Sequence, residues 1–426
     1  MRALLLTVGS QGDVQPYLAL AGRLRCAGHD VVLAAPAVYK GLAQQGLAES
    51  GQVPFVPLDL DMTEVGYAVD GKHGLRHMLA FTRAMGRRAG SFLPQLADLA
   101  REGADVVVHH PVLPLGQHLA EWLAVPAVVA SPLPALVPTR EFPSPAWPGA
   151  NRWLPSSLNR PSYRAARYVT GAWCRKDVDR WRAADLGLGK PKGRHDPLAS
   201  RDVTVLHAFS EHVIPRPHDW PDTARITGYW QLPQTGDWTP PRRLAEFLDA
   251  GEPPVYIGFG SMPVADPARL ADTIIAATKQ TGTRTILYSL DPRVRRQLSQ
   301  QTAITVIRQA PHDWLFPRVS AVVHHGGAGT TGAAVRAGRP QVIWPFGIDQ
   351  HFWAGRMEQL GVAVPARPVR ALSKATLASA IDRAVTDATI KDRAAGLANR
   401  VRAQDGTGAA VAHLEHLTRS TTAVPA

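Results

Sequence analysis

The stretch "SAVVHHGGAGTTGAAVRAGRPQVIWPFGIDQHFWAGRMEQLGVA", residues 320–363, decides the fold. A short apolar run, "AVVH", enters a glycine-rich turn, a helical pattern of small residues follows, and a second apolar run, "QVIWPF", closes the unit. Strand, turn, helix and strand in that order read as one parallel βαβ unit. Gly326, Gly327 and Gly329 let the backbone approach an oxygen-rich ligand, and Thr330 and Thr331 stand where they can cap the helix, so its free N–H groups and dipole would face an anion. That is a diphosphate cradle with His325 as its positive group. As backbone alone, the same letters read equally as a tight strand-to-helix turn with packed histidines. No Lys-Ser/Thr follows the glycines and GxGxxG is absent, which disfavours a P-loop ATPase and a dinucleotide fold. His324 and His325 are consecutive strand residues pointing to opposite faces, which argues against zinc.

The alternation extends outward from this stretch. Towards the N-terminus it includes "PPVYIGFGSM" (253–262), "DPARLADTIIAATKQTG" (266–282), "RTILYSL" (284–290) and "ITVIRQA" (304–310). A separate series occupies the first third: "ALLLTV" (3–8), "VQPYLALAGRLRCAG" (14–28), "DVVLAAP" (30–36), "ADVVVHH" (104–110), "PLGQHLAEWLA" (114–124) and "VPAVVA" (125–130). Continuous apolar strands between amphipathic helices predict two α/β domains, each a parallel sheet with helices on both faces. Prolines between about 131 and 165 predict an irregular loop there, and the Pro, Trp and Gly-rich 215–243 predicts the interdomain linker. The expected domains are 1–214 and 244–403, with 404–426 a C-terminal helix and tail crossing back to the first. Two such halves are expected to form a cleft between the carboxyl ends of their strands, where ligands of open α/β sheets bind.

Composition narrows the classes. The 426 residues are 45% apolar and 19% charged, with 36 Gly and 36 Pro, a globular profile long enough for two cores. The net charge of +12 comes from scattered arginines, as in "RKDVDRWRAADL" (175–186) and "DPRVRRQL" (291–298), rather than from one basic block. With no reading motif beside it, this charge suits anionic substrates or acidic lipid surfaces better than nucleic acid. Cys26 and Cys174 are too few for a disulfide framework, which fits a cytoplasmic home. No apolar run is long enough to span a membrane, so any membrane contact is expected to be peripheral, and "MRALLLTVGSQGD" reads as a buried strand rather than a leader.

"APHDWLFPRVSAVVHHGGAGTT" (310–331), "PFGIDQHFWAGR" (345–356), "VYIGFGSM" and "RITGYWQLP" together resemble the UDP-glycosyltransferase superfamily, in texture its bacterial and fungal sterol and antibiotic branch. The resemblance covers most of the chain. It implies GT-B architecture, two Rossmann-like domains facing across a cleft. It also implies that His325 holds the donor diphosphate with the backbone of Gly327, Gly329 and Thr330, and that Asp349 and Gln350 bond the donor sugar's hydroxyls. Ser261 matches a serine near the phosphates, and the segment from Gln309 through His312 to Trp314 matches the edge of the base pocket. Where plant members stack a tryptophan on uracil this chain has Gln309, and where they hold ribose with glutamate it has Ala333, so UDP and TDP both stay open.

The turn "GSQGDVQP" (9–16) resembles the family's N-terminal turn, where plant members carry a catalytic histidine and sterol or antibiotic members an aspartate, here Asp13. A carboxylate there can take the acceptor's hydroxyl proton or assist the step electrostatically. On its chemistry alone Asp13 reads equally as the cap of a helix starting at Val14. His110 falls where plant members place the aspartate that orients the catalytic histidine, which suggests an Asp13–His110 pair with roles reversed; His109 reads as structural. Phe81, Trp147 and Trp153 are candidates for an acceptor wall. The "DLD" at 59–61 matches the metal-binding DxD of another fold but reads better as a solvated loop, and no metal or cofactor is expected.

The resemblance implies an inverting transferase moving a hexose, glucose first, from a UDP- or TDP-sugar to a lipophilic acceptor such as a sterol, as a monomer or homodimer. The alternatives are glycosylation of a polyketide, macrolide or peptide antibiotic, a same-fold epimerase or phosphorylase, and a non-catalytic nucleotide-sugar-binding helper.

Overall fold

The computed structural model describes residues 1–47, 53–60, 91–113, 115–147, 149–172, 175–190, 198, 203–232, 238–260, 266–347 and 349–422. Among these, one compact unit holds the residues up to Thr235 together with those from Gln404 onward, and the other holds those from Gly236 to Ala403.

The first unit is built on seven parallel strands: β1 (Arg2–Leu6), β2 (Asp30–Pro36), β3 (Phe55–Leu58), β4 (Val106–His109), β5 (Ala127–Ser131), β6 (Thr204–His207) and β7 (Ala224–Ile226). Their order across the sheet is β3-β2-β1-β4-β5-β6-β7. The apolar runs take both faces: Ala3 and Leu5 of β1 join one core with Leu18 and Leu20 of the helix Gln11–Cys26, while Leu4 and Leu6 join another with Phe92, Leu96 and Leu119. Burial on both faces is why these strands read as continuous rather than alternating hydrophobic runs.

The second unit has six parallel strands: β8 (Val255–Gly258), β9 (Thr285–Tyr288), β10 (Ile304–Ile307), β11 (Ala321–His324), β12 (Gln341–Ile343) and β13 (Ala363–Val364), in the order β10-β9-β8-β11-β12-β13. Val255, Ile257, Ala321 and Val323 face one core, and Tyr256 and Val322 the other.

Each sheet reverses its winding once, between β1 and β4 in the first and between β8 and β11 in the second. At such a point the loops leaving the carboxyl ends of two adjacent strands turn to opposite faces and leave a crevice.

Three expectations are corrected. Much of the stretch 215–243 is not a linker, because Ala224–Ile226 pairs with β6 as the seventh strand and Trp220 and Trp230 are buried in the first unit. The Pro-rich segment does contain regular structure: a short helix at Ala150–Trp153 and a longer one at Asn159–Ala172, which tolerates Pro161 in its first turn. The helix after β1 starts at Gln11 rather than Val14, with Ser10 as its N-cap.

The C-terminal helix Gly406–Thr422 lies on the first unit. Ala410, Val411 and Leu414 enter the core beneath β1, Arg23 Nη2 pairs with Asp405 Oδ2 at 2.7 Å, and His29 Nε2 meets Glu415 Oε1 at 2.9 Å.

Candidate active site

Asp13 and His110 follow β1 and β4, the two strands flanking the first sheet's winding reversal. The backbone N–H of His110 donates to Leu6 O (2.8 Å), so the sheet's own ladder carries His110 to the end of β1. His110 Nδ1 accepts from the Val112 N–H (3.3 Å), which puts the proton of the neutral ring on Nε2. That Nε2 lies 3.6 Å from Asp13 Oδ1, longer than a hydrogen bond but well within Coulomb range.

Asp13 is the third residue of its helix, not its cap. Its Oδ2 accepts from both the backbone N–H (2.8 Å) and the hydroxyl (2.9 Å) of Ser10, the returning half of a capping box. One oxygen therefore serves the helix start, and the other faces His110. Burial by itself would raise the pKa of Asp13, but the contact with His110 and the Ser10 donors together outweigh it and hold the carboxyl below 3.8. The side chain still exposes 28% of its surface, against 8% for His110. A substrate can reach the carboxylate without displacing the imidazole.

Two neighbours fix this geometry. Gly9 has φ +120°, and a Cβ there would stand 2.4 Å from Asp13 Oδ2, so only glycine allows both the turn and the carboxylate's position. Tyr17, one turn beyond Asp13, donates to Ala130 O (2.8 Å) and sets its ring 6.2 Å from that of His110. Sequence reading missed Tyr17. The glycine carried a weak turn signal; Tyr17, on a buried helix face, carried none. His109 is wholly buried, which pushes its pKa down to about 4, and its Nδ1 meets the His110 carbonyl at 3.2 Å, the structural role expected of it.

In the second unit, His325 follows β11 and Gly260 lies just past β8, the pair of strands at the other winding reversal. His324 is spent on structure: its Nδ1 accepts from the Gly326 N–H (3.1 Å) and its Nε2 pairs with Gln341 Oε1 (2.9 Å). His325 turns the other way, its ring at 89° to that of His324. It lies between two glycines, since a Cβ on Gly327 would come within 2.6 Å of its Nε2 and one on Gly260 within 3.1 Å of its Cε1. Its Nδ1 is buried with no partner at hydrogen-bond distance. Burial, partly offset by the Gly258 backbone, pushes the pKa down to about 4, so the ring is neutral at pH 7.

The helix after this turn is Ala328–Ala337, with Gly327 as N-cap and no side-chain cap. Thr330 and Thr331 therefore lie within the helix and do not cap it; Thr331 is buried. The N-terminus has no side-chain cap to take its first N–H groups, and Thr330 can face a ligand there only through its backbone.

His312 stacks on Phe316 (4.3 Å between centroids, 15°) and meets Tyr256 edge-on. Burial, then the neighbouring His325, pushes its pKa down to about 4. Gln309 is exposed just past β10. Asp349 is the N-cap residue of the helix Gln350–Gln359. Gln350 is buried, and its Oε1 accepts from the N–H groups of Phe346 (2.8 Å) and Gly347 (3.2 Å). Its oxygen thus holds the loop.

Ser261, Phe81 and Asp61 lie outside the described residues. Trp147 donates from Nε1 to Ser162 O (2.8 Å) and pins the Asn159–Ala172 helix, while Trp153 is 64% exposed. A cavity of about 510 Å³, lined by Val137, Arg160, Arg167, Val205 and Trp220 among others, includes neither Asp13 nor His110. Among the described residues, no group of three or more His, Cys, Asp or Glu could hold a metal ion, and no helix is long and apolar enough to cross a membrane.

Residues 3–139 match the family model of the glycosyltransferase family 28 N-terminal domain. Residues 277–417 match that of the erythromycin biosynthesis protein CIII-like C-terminal domain. The chain is 35% identical over 419 residues to a sterol 3-beta-glucosyltransferase of Emericella nidulans, covering 95% of itself and 29% of that protein. It is 34% identical over 430 residues to that of Neurospora crassa, covering 96% of itself and 27% of the relative. It thus spans under a third of the length of these relatives. Among solved structures, the glycosyltransferase VinC in complex with DTDP superposes with TM-score 0.70 at 20% identity, covering 99% and 100% of the two chains. The glycotransferase of kitacinnamycin superposes with TM-score 0.68 at 20% identity, covering 98% of each.

Proposed function

Because the chain belongs to the GT-B glycosyltransferase superfamily, we propose that it is an inverting hexosyltransferase, moving glucose or a related hexose from a UDP- or TDP-sugar to a hydroxyl of a lipophilic, sterol-like acceptor. The observation that carries the reading is the Asp13–His110 pair at the winding reversal of the first sheet.

In the proposed reaction the acceptor oxygen bonds to the anomeric carbon as the bond from that carbon to the diphosphate breaks, and the electron pair leaves with the diphosphate. The acceptor proton passes to Asp13. A carboxyl held below 3.8 is a weak base, so the proton moves late, once bonding to carbon has made the hydroxyl acidic. The Nε2–H of His110 faces the carboxylate and keeps it ionised. His325 and the N–H groups at the start of the Ala328–Ala337 helix receive the diphosphate charge, with Gly327, Gly329 and Thr330 supplying backbone. Asp349 and Gln350 take the sugar hydroxyls, Gln309 and His312 border the base, and Ser261 lies near the phosphates.

We propose further that no metal takes part and that the chain works in the cytoplasm; undiminished turnover in excess chelator would support the first. Incubation with UDP- and TDP-sugars against sterols, flavonoids and macrolides, read by mass shift, tests the whole reading. A product only with macrolides or related polyketides and a TDP-sugar would transfer it to antibiotic glycosylation, which the erythromycin-type match of residues 277–417 favours as the second reading. Sugar-nucleotide binding with no product in any arm would leave a helper protein.

A further inference from the structure

His324 and Gln341 are polar side chains fully buried in the second sheet. The register pairs Gln341 with Val322 and His324 with Ile343, so both side chains lie on one face and meet diagonally across β11 and β12. The direction of the bond between them is fixed. Because His324 Nδ1 accepts from the Gly326 N–H (3.1 Å), the proton of the neutral ring sits on Nε2 and is donated to Gln341 Oε1 (2.9 Å). Burial keeps that ring neutral by pushing its pKa down to about 3. The amide nitrogen of Gln341 then donates to Met357 Sδ (3.5 Å), which belongs to the helix Gln350–Gln359.

Gly326 meets the same helix from the other side. Its φ is +92°, and a Cβ there would stand 2.8 Å from Ile343 Cγ2 and 3.1 Å from the Gln350 carbonyl oxygen. Gln341 thus reaches the turn that carries His325 through His324, and the helix that begins at Gln350 through Met357. A buried glutamine costs desolvation that a leucine of similar volume would not. What it supplies is the acceptor that holds His324 in the one tautomer able to take the Gly326 N–H. We infer that Gln341 is a positioning residue for the sugar donor: acting through His324 it holds the Gly326 turn, and so fixes the place of His325 relative to the helix that begins at Gln350. Its effect on the donor rests on the diphosphate role proposed above for His325.

Q341L removes the acceptor and leaves the His324 Nε2–H buried without a partner. T278V is its control, since it breaks the buried hydroxyl pair of Thr278 and Thr285 (2.9 Å) at the start of β9, the end of the sheet opposite the cradle. Thermal unfolding should register a loss in both. In calorimetry, Q341L should raise the Kd for UDP or TDP about tenfold. T278V should leave it within about twofold of native. Uridine and thymidine, which lack the diphosphate, should bind Q341L as they bind the native chain. Deuterium exchange in the peptide from His324 to Thr331 should speed up in Q341L and not in T278V. Native diphosphate affinity in Q341L, a loss no larger than that in T278V, equal weakening of nucleoside and nucleotide, or unchanged exchange would overturn the inference. H325Q separates it from the reading beneath it. If H325Q binds UDP and TDP as the native chain does, or the native chain binds neither, the diphosphate role fails and takes the role of Gln341 with it; if H325Q weakens binding and Q341L does not, Gln341 alone loses its role.

Discussion

His110 Nε2 stands 3.6 Å from Asp13 Oδ1, and the two residues leave the carboxyl ends of β4 and β1, which pair directly in the first sheet. The other carboxylate oxygen is held by Ser10, so the acid is at once a helix-start acceptor and half of a polar pair. Of the two readings that chemistry left open for Asp13, a helix-start role is met through Oδ2, as the acceptor of a capping box rather than as the cap, and the proposed catalytic role falls to Oδ1.

Asp13→Asn should lower kcat by about 10²–10⁴ while leaving the Kd for a nucleotide diphosphate within about twofold, since the amide keeps the shape but cannot take a proton. Single-turnover kinetics beside calorimetry would check this. A parallel loss of binding would move Asp13 to the donor side.

His110→Ala removes the contact that helps hold the Asp13 carboxyl below 3.8. The acid limb of the kcat/KM profile should then move to higher pH. A carboxyl depressed in the folded chain stabilises the fold above its unfolded value and loses that contribution as pH falls through its folded value. The variant should therefore lose stability at neutral pH and show a flatter acid limb in denaturant titrations.

Gly9→Ala should cost about 1–3 kcal/mol of stability, because φ +120° is strained for alanine. Its turnover should fall further than that loss explains, since the new Cβ displaces Asp13 Oδ2. Residual activity normalised to the folded fraction separates the two effects.

Gly327→Ala is the matching probe in the second unit. Its φ of −63° suits alanine, so no backbone strain is added, but the Cβ would press on His325 Nε2 from 2.6 Å and must shift that ring, at some cost in stability that thermal unfolding would register. The Kd for UDP or TDP should rise about tenfold. Unchanged affinity would mean that His325 does not take the diphosphate.

Burial pushes the pKa of His324 down to about 3 and those of His325 and His312 to about 4. The unfolded chain binds protons at these sites below 6.5 while the folded chain does not. Unfolding free energy should accordingly fall as pH drops from 6.5 towards 4, by up to about 1.4 kcal/mol per pH unit for each histidine. A bound diphosphate favours the charged form of His325, so donor affinity should rise over the same interval and do so less in His325→Gln. Urea titrations at several pH values, with and without UDP, test both signs.

Much of this was legible before any coordinates. Two parallel α/β domains follow from strand runs buried on both faces, which write themselves as unbroken apolar letters, and from glycines at the turn after "AVVHH". Local grammar failed where contacts are remote in sequence. The stretch 215–243 has the composition of a linker, yet Ala224–Ile226 is a sheet strand because β6 offered it an open edge. Thr330 and Thr331 looked like caps because the helix start cannot be located to a residue from propensity alone.

The sequence by itself determined the parallel α/β architecture and pointed to the candidate cradle and the candidate acid, since each rests on residue types within a few positions of one another. Only the tertiary structure decided which atoms face one another. Asp13 and His110 are 97 positions apart, and sheet register alone brings them together. Of the adjacent pair His324 and His325, the packing of Gln341 behind β11 spends the first on structure and leaves the second between two glycines. Strand pairing and ring orientation are set by burial across the whole sheet, and no local run of letters carries that information.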